Sequence, residues 1–333
     1  MIEGVQVGAV NSRWRPPVRQ GLNATRVILP PISETPNTGA GGQYPIPATV
    51  AQYLRARFPD DTAGVARKIA QNDVYDGQGN PISEQTAYVA GEWIYLYRDP
   101  PTDEPVVPGL SEIEILYRDN HLLVIDKPHQ VSVIPRGRWV TQTALVHLRR
   151  TLNLPQLSPL HRLDRPTAGV LVFSLNPEER GRYQTLFQTR KVKKEYLAVA
   201  GIPQDAGRFP RQVKSRIVKE RGVAQAQVVP GEPNAITEIE LLDTAKAVTL
   251  YRLKPLTGKT HQLRLHMNSL GLPILGDPFW PEMRPDLLAD QTPELPLQLL
   301  AQRIEFTDPL TTQRRVFTSR RQLVAWPTPI EPE

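Results

Sequence analysis

His161-Arg162-Leu163-Asp164-Arg165-Pro166-Thr167-Ala168-Gly169-Val170-Leu171-Val172-Phe173 sets one carboxylate between two guanidinium groups and follows it with an apolar run. The run from Gly169 to Leu175 is short, continuous and rich in β-branched residues. That pattern predicts a strand buried on both faces. Asp164 is therefore expected on an irregular turn at the edge of a sheet. Nearby cations favour the ionised form of a carboxylate. Asp164 between Arg162 and Arg165 thus suits a nucleophile or a charge stabiliser better than a general acid. A loop salt bridge is the plainer alternative.

Outward from this turn, positive charge is concentrated. Arg136 to Lys194 holds twelve Lys and Arg against three Asp and Glu, whereas the whole chain nets +6, so the remainder is slightly acidic. A cationic belt around a candidate nucleophile points to a polyanionic substrate, nucleic acid first. Upstream, Glu114 to Tyr117 and Leu122 to Asp126 flank Asp119-Asn120 and predict a hairpin. Pro135-Arg136-Gly137-Arg138 reads as a basic loop. Thr141 is expected to cap a helix over 142–152, with Leu145, Leu148 and Leu152 inward and His147, Arg149 and Arg150 outside.

Downstream, Asn176-Pro177-Glu178-Glu179 has the composition of a helix start. Tyr183, Leu186 and Phe187 supply its buried face. Lys194 to Gly201 reads as a strand carrying Tyr196. Arg208 to Arg221 reads as an exposed basic insertion or hairpin able to grip a nucleic-acid backbone. Residues 235–242 and 248–253 alternate as paired strands. Thr257-Gly258 turns the chain into a helix over 260–270, with Leu263, Met267 and Leu270 inward and Arg264 on its flank. His261 and His266 are five apart, the wrong spacing for one helical face, so packing or hydrogen bonding is expected rather than metal ligation. Pro281 to Pro296 is an acidic surface excursion, and 299–306 with 315–317 close the sheet.

His-Arg-Leu-Asp-x-x-Thr-x-Gly before a hydrophobic strand resembles the active-site motif of RluA-type pseudouridine synthases. Lys194-Glu195-Tyr196-Leu197-Ala198-Val199 resembles that family's tyrosine motif. Thr257-Gly258-Lys259-Thr260-His261-Gln262-Leu263-Arg264-Leu265-His266, continuing to Pro273-Ile274-Leu275-Gly276-Asp277, resembles its arginine motif. The three occur in the family's order over residues 115 to 320. The resemblance implies an α+β pseudouridine synthase fold: a central mixed, mainly antiparallel sheet flanked by helices. The basic loop at 135–138 departs in detail from the small His-Pro type loop common in the family.

The chain has 333 residues, a pI near 9.5, 34 prolines and no cysteine. That length suits one large domain and a smaller one. Lack of cysteine excludes disulfides, a Cys-type zinc site and a thiol nucleophile. No signal pattern or ~20-residue apolar run is present, so a cytoplasmic, monomeric protein without membrane contact is expected. Residues 1–44, broken by Pro16-Pro17, Pro30-Pro31 and Gly39–Gly42, read as an extended arm. Trp14 is expected to pin it to the body rather than stack on a base. Two helices, 48–58 and one capped by Thr62, then a turn at Asp76–Asn80 and a strand at 93–97, resemble in outline an S4-type RNA-binding module over 45–99. Residues 100–110 read as a linker, and 111–328 as the catalytic domain.

The family reaction isomerises uridine in RNA to pseudouridine. The N1–C1′ bond breaks, the uracil turns in place, and C5 joins C1′, so no cofactor or metal is required. The resemblance implies Asp164 as nucleophile or carboxylate stabiliser. It implies Tyr196 as the ring stacked on uracil that helps take the C5 proton, and Arg264 as the partner of Asp164 and of substrate phosphate. It further implies that Arg162 fills the gap left by a flipped base, with His161 orienting the turn. Arg165, Lys194, Thr257, Lys259 and Leu263 complete the substrate-binding set, Leu263 as a wall. The RNA is structured, ribosomal or transfer. Two other functions stay open: a non-catalytic RNA-binding or ribosome-assembly factor, and a nucleoside or glycoside hydrolase using Asp164 with Asp277.

Overall fold

The computed structural model describes residues 14–31, 47–220, 222–286 and 292–327. The chain divides into two compact units at the Thr102/Asp103 boundary.

In the first unit, strand β1 (Thr25–Ile28), helices α1 (Val50–Arg57) and α2 (Thr62–Ala70), and strands β2 (Val74–Tyr75) and β3 (Trp93–Leu96) form an antiparallel sheet of order β1-β3-β2 backed by the helices. Thr49 and Gln52 start α1 with a reciprocal capping box. Thr62 is the first residue of α2 rather than its cap; Asp61 holds that position. Ile94 and Leu96 point inward to Leu29, Leu54, Val65 and Ile69. The segment read as an extended arm supplies a strand of the sheet, β1, and the core residue Leu29. Four residues are too few for a periodicity signal, and the pairing partners lie 65 to 71 residues away in sequence. Trp14 pins this segment, packing on Tyr75 at 5.3 Å and Tyr95 at 6.0 Å. The other expected arm residues, 1–13 and 32–44, lie outside the described residues. Arg67 and Lys68, the cations of α2, both pair with Asp99.

The second unit is built on an eleven-stranded sheet. Its strands are β4 (Glu114–Arg118), β5 (Leu122–Lys127), β6 (Ser158–Pro159), β7 (Ala168–Ser174), β8 (Lys193–Ala200), β9 (Arg211–Val218), β10 (Gln227–Val229), β11 (Ala235–Ala245), β12 (Val248–Pro255), β13 (Leu299–Thr307) and β14 (Arg314–Thr318). The main order is β10-β9-β11-β12-β8-β13-β7-β5-β4, with β14 on β13 and β6 on β7. Every pairing is antiparallel except β13 with β7. Helices α3 (Ala144–Thr151), α4 (Arg180–Gln188) and α5 (Gln262–Ser269) pack on it. Both β5 and β7 are buried at every position, β7 as its unbroken apolar run predicts.

Local chemistry shifts several expected boundaries. Thr143, not Thr141, caps α3, its hydroxyl accepting from the Val146 amide. Arg149, expected outside, is buried and donates from Nε to the Leu157 carbonyl. The turn at Asn176 delays α4 to Arg180, with the Asn176 side chain accepting from the Glu178 amide. Of the two forms expected for the basic segment 208–221, the hairpin is the one formed, and it is built into the sheet. The segment's centre is β9, paired with β10 and β11, and Gln212, Lys214 and Arg216 are exposed along it. The second half of the expected linker belongs to this unit, because Val107 and Leu110 are buried in its core.

Candidate active site

The Asp164 turn is held from behind by the last residue of β5 and by one just after it. Lys127, fully buried, donates from Nζ to the carbonyls of Pro128 and Val131, each at 2.8 Å, and of Arg165 at 3.1 Å. Burial drives its pKa well below the ordinary lysine value. His129 Nδ1 donates to the Pro166 carbonyl at 2.7 Å. The Thr167 amide closes the turn onto the Asp164 carbonyl at 3.0 Å. The two carbonyls after Asp164 are thus fixed from one side, and the carboxylate is left partly exposed on the other. Sequence reasoning passed over Lys127 and His129. A lysine ending a six-residue buried run was the available signal.

His161 is a structural residue. Its Nε2 accepts the Val172 amide at 3.2 Å, and its ring stacks on Phe187 at 5.1 Å. Burial holds it neutral, with a pKa lowered to about 3.

Sheet register brings in the tyrosine. Leu300 of β13 pairs with Ala168 on one side and Leu197 on the other. Tyr196, beside Leu197, therefore stands two strands from the start of β7, roughly 10 Å at the usual strand spacing. Burial first, and then the negative charge of Asp164, raises its phenol pKa. The hydroxyl keeps its proton at neutral pH. Lys194, two residues earlier, shares that face; burial lowers its pKa. Glu195 points the other way, to Arg252 and Arg303.

Arg264 is the electrostatic centre. Expected on the helix flank, it is only 2% exposed. Nε and one terminal nitrogen donate to Asp277 at 2.7 and 2.5 Å, a bidentate pair. The other terminal nitrogen lies 3.6 Å from the Asp164 carboxylate, attractive but too long for a hydrogen bond. Phe279 and Trp280 lie 4.9 and 5.0 Å from its guanidinium carbon. His261, in a left-handed conformation with φ of 58°, packs against both rings and accepts the Ala226 amide. Sequence neighbours suggest Arg162 and Arg165 as cations beside Asp164, and the family resemblance implies Arg264, a hundred residues later; the ion pair formed among the described residues is with Arg264. Asp277 also accepts the Phe279 amide at 2.8 Å and is fully engaged, which removes it as the second carboxylate of a hydrolase.

Gln262 organises the turn before α5. Its carbonyl oxygen accepts from the Thr257 hydroxyl at 2.7 Å and the Lys259 amide at 3.0 Å. Thr257 is mostly buried, and its hydroxyl also accepts the Ile236 amide, so it shapes the turn at the cleft wall. His266 bridges Ser215 and Thr237 at 2.8 Å each. Among the described residues, no cluster of three His, Cys, Asp or Glu could hold a metal.

All ten sequence-predicted residues line one cleft of about 1880 Å³. Small-molecule pockets run to about 1,000 Å³, so this one suits part of a polymer. Arg162 and Lys259 are exposed on it, and Leu263 is a mostly buried wall.

Two predictions follow from the buried groups. Asp277→Asn keeps one acceptor for Arg264 and loses the charge. It is expected to cost about 2 kcal/mol, as for a lost hydrogen bond to a charged group, and to lower turnover by loosening Arg264. Urea melts and initial rates check both; unchanged values in each would remove Arg264 from its assigned place.

The second concerns acid. His129, His261 and His266 are held to pKa values of about 4 and His161 to about 3, each chiefly by burial. Below pH 6.5 the unfolded chain binds protons that the folded chain refuses. Their stability is present above pH 6.5 and is lost at about 1.4 kcal/mol per pH unit per histidine as pH falls toward 4. His121, raised by its bond to Glu179, acts oppositely. Melting temperature is expected to fall steeply from pH 6.5 to 4.5, and a flat profile would contradict the burial.

The family model described as RNA pseudouridylate synthase matches residues 121–269, a span containing Asp164, Tyr196 and Arg264. The tRNA pseudouridine synthase C of Haemophilus ducreyi is 35% identical over 219 residues, 61% of this chain and 88% of that one. The dual-specificity RNA pseudouridine synthase RluA of Salmonella typhi is 35% identical over 205 residues, 59% and 87% of the two chains. Ribosomal large subunit pseudouridine synthase D of Pseudomonas aeruginosa is 31% identical over 220 residues, 62% and 68%. With the family match falling on the segment that carries Asp164, Tyr196 and Arg264, and relatives 35% identical covered over most of their length, the chain belongs to the RluA-type RNA pseudouridine synthases, isomerases that convert uridine in RNA to pseudouridine.

Proposed function

We propose that this enzyme acts on a uridine of a structured ribosomal or transfer RNA, flipped out of its stack into the cleft. The observation that carries this is the convergence of Asp164, Tyr196 and Arg264 on one cleft large enough for a polymer. Asp164 is the carboxylate at the glycosidic carbon, supported by its partial exposure and its fixed turn. Arg264, held by Asp277, sets the field at that carboxylate. Tyr196 serves as a ring under the uracil and as a protonated phenol. Its raised pKa argues against a free phenolate base at C5. Any proton taken there must leave the phenol first. Arg162, exposed two residues before Asp164, fills the vacated stack.

Ribosomal and transfer RNA both stay within the proposal, because the relatives' names divide between them. The first unit is proposed as an S4-like accessory module, on its two helices followed by strands. Since Asp99 pairs with both cations of α2, its RNA contacts fall to exposed arginines such as Arg15 and Arg26. A cytoplasmic monomer is part of the same proposal. Among the described residues no helix is long and apolar enough to cross a membrane.

The test is incubation of the purified chain with C5-tritiated uridine RNA, ribosomal and transfer transcripts separately. Tritium release with pseudouridine formed and no free uracil is expected. Free uracil would indicate hydrolysis, and no product from either RNA would leave a binding factor.

A further inference from the structure

Glu104 lies outside every motif and is not among the residues lining the cleft. Its carboxylate nevertheless accepts four hydrogen bonds from one short loop. One oxygen takes the amides of Val140 at 2.6 Å and Gln142 at 2.8 Å. The other takes the Thr141 amide at 2.9 Å and the Thr141 hydroxyl at 2.7 Å. The Val107 amide adds a bond to the Gln142 side chain at 3.1 Å. Burial alone would raise the pKa of Glu104; these bonds outweigh it and lower the value. The anion is thus a built part of the loop.

The loop leads directly to the reacting carboxylate. Arg136 and Trp139 close a tight turn through two backbone bonds, at 2.7 and 3.1 Å, with Gly137 at φ +59°. Val140, next in the chain, is the first residue that Glu104 holds. Trp139 packs on the core of this unit, and its ring lies 5.2 Å from the Arg138 guanidinium and 5.3 Å from that of Arg165. Arg165 follows Asp164, and its own carbonyl is fixed by Lys127. Both ends of Arg165 are therefore set by the frame: the backbone by Lys127, the side chain by Trp139.

We propose that Glu104 is a positioning residue for RNA. By clamping 140–142 it holds Trp139 against Arg165, which fixes the direction of the cation beside Asp164 toward a phosphate flanking the target uridine. A guanidinium already stacked on an indole has less rotamer freedom to lose when it meets a phosphate. The inference rests on the cleft being the RNA site, and it adds a residue that no motif contains.

The full chain and its variants are assayed on the tritiated transcript across a salt series, with equilibrium RNA binding measured in parallel. Glu104→Gln keeps the shape but turns one oxygen into a donor facing donors. It is expected to raise KM about tenfold with kcat nearly unchanged, as for loss of binding shared by ground and transition states. The slope of log KM against log salt is expected to fall by about one phosphate contact. Trp139→Leu is expected to reproduce both effects, and the double variant to be no worse than either. A lowered melting temperature with KM and salt slope unchanged would overturn the proposal, as would a fall in kcat alone. If Glu104→Gln does not fold, Trp139→Leu decides by the same two readings. If the wild type makes no pseudouridine, the functional reading fails, while the binding series still judges Glu104.

Discussion

Asp164→Asn is expected to abolish turnover, by about 10⁴-fold or more, the scale on which loss of a reacting side chain acts. Affinity for the RNA is expected to stay near wild type. The separation follows from how the side chain is held. Its backbone neighbours are fixed by Lys127 and His129 through the Arg165 and Pro166 carbonyls, bonds that do not involve the carboxylate. The carboxylate has a single ion pair among the described residues, at 3.6 Å to Arg264. Arg264 keeps its bidentate hold on Asp277 in the variant. The amide is nearly isosteric, so the turn, the arginine and the rim cations should all survive. What is lost is negative charge and nucleophilicity where positive character develops on the sugar. Tritium release and filter binding of one transcript measure the two halves. Substantial turnover in the variant would move the chemistry to another residue, and lost binding would show that the carboxylate serves the frame.

The sheet was legible where its signals are local. β7 read directly as a buried run, β4 and β5 as a hairpin, and the β11–β12 pair as alternation. The three motifs named the cleft residues, and all ten line it. What was not legible is non-local. Nothing near Arg264 in sequence says that its guanidinium will be gripped by Asp277, thirteen residues on, and caged by Phe279 and Trp280. Nothing near Thr141 says that its amide belongs to Glu104 and that the cap shifts to Thr143. Charge patterning was informative in total and misleading in detail. Within the belt, Lys193 is answered by Glu305 across the β8–β13 pairing. Arg149 is drawn inward by a carbonyl, because helix periodicity cannot see a bare acceptor.

The second large effect comes from the same motif and from a residue with no chemistry. Gly169→Ala is expected to cost more than about 4 kcal/mol, the range reserved for backbone strain combined with a core clash. Gly169 adopts φ +112°, outside the ordinary left-handed well and accessible essentially to glycine alone. A Cβ there would lie 2.3 Å from the Ala301 carbonyl oxygen and 2.7 Å from the Ala301 nitrogen. Those atoms are backbone of β13, which β7, β8 and β14 all pair with, so they cannot withdraw without disturbing four strands. The contact is the single parallel joint in the sheet, Ala301 opposite Gly169, and it sets the Asp164 turn over the Tyr196 strand. Gly137→Ala is the control, with φ +59° and nothing within 4 Å of the added methyl. Strain alone should cost it about 1 kcal/mol. Urea melts of the two variants at one pH separate the terms. If Gly169→Ala melts like Gly137→Ala, the glycine of the motif is not there to let two backbones touch, and the joint that sets Asp164 over Tyr196 needs another explanation.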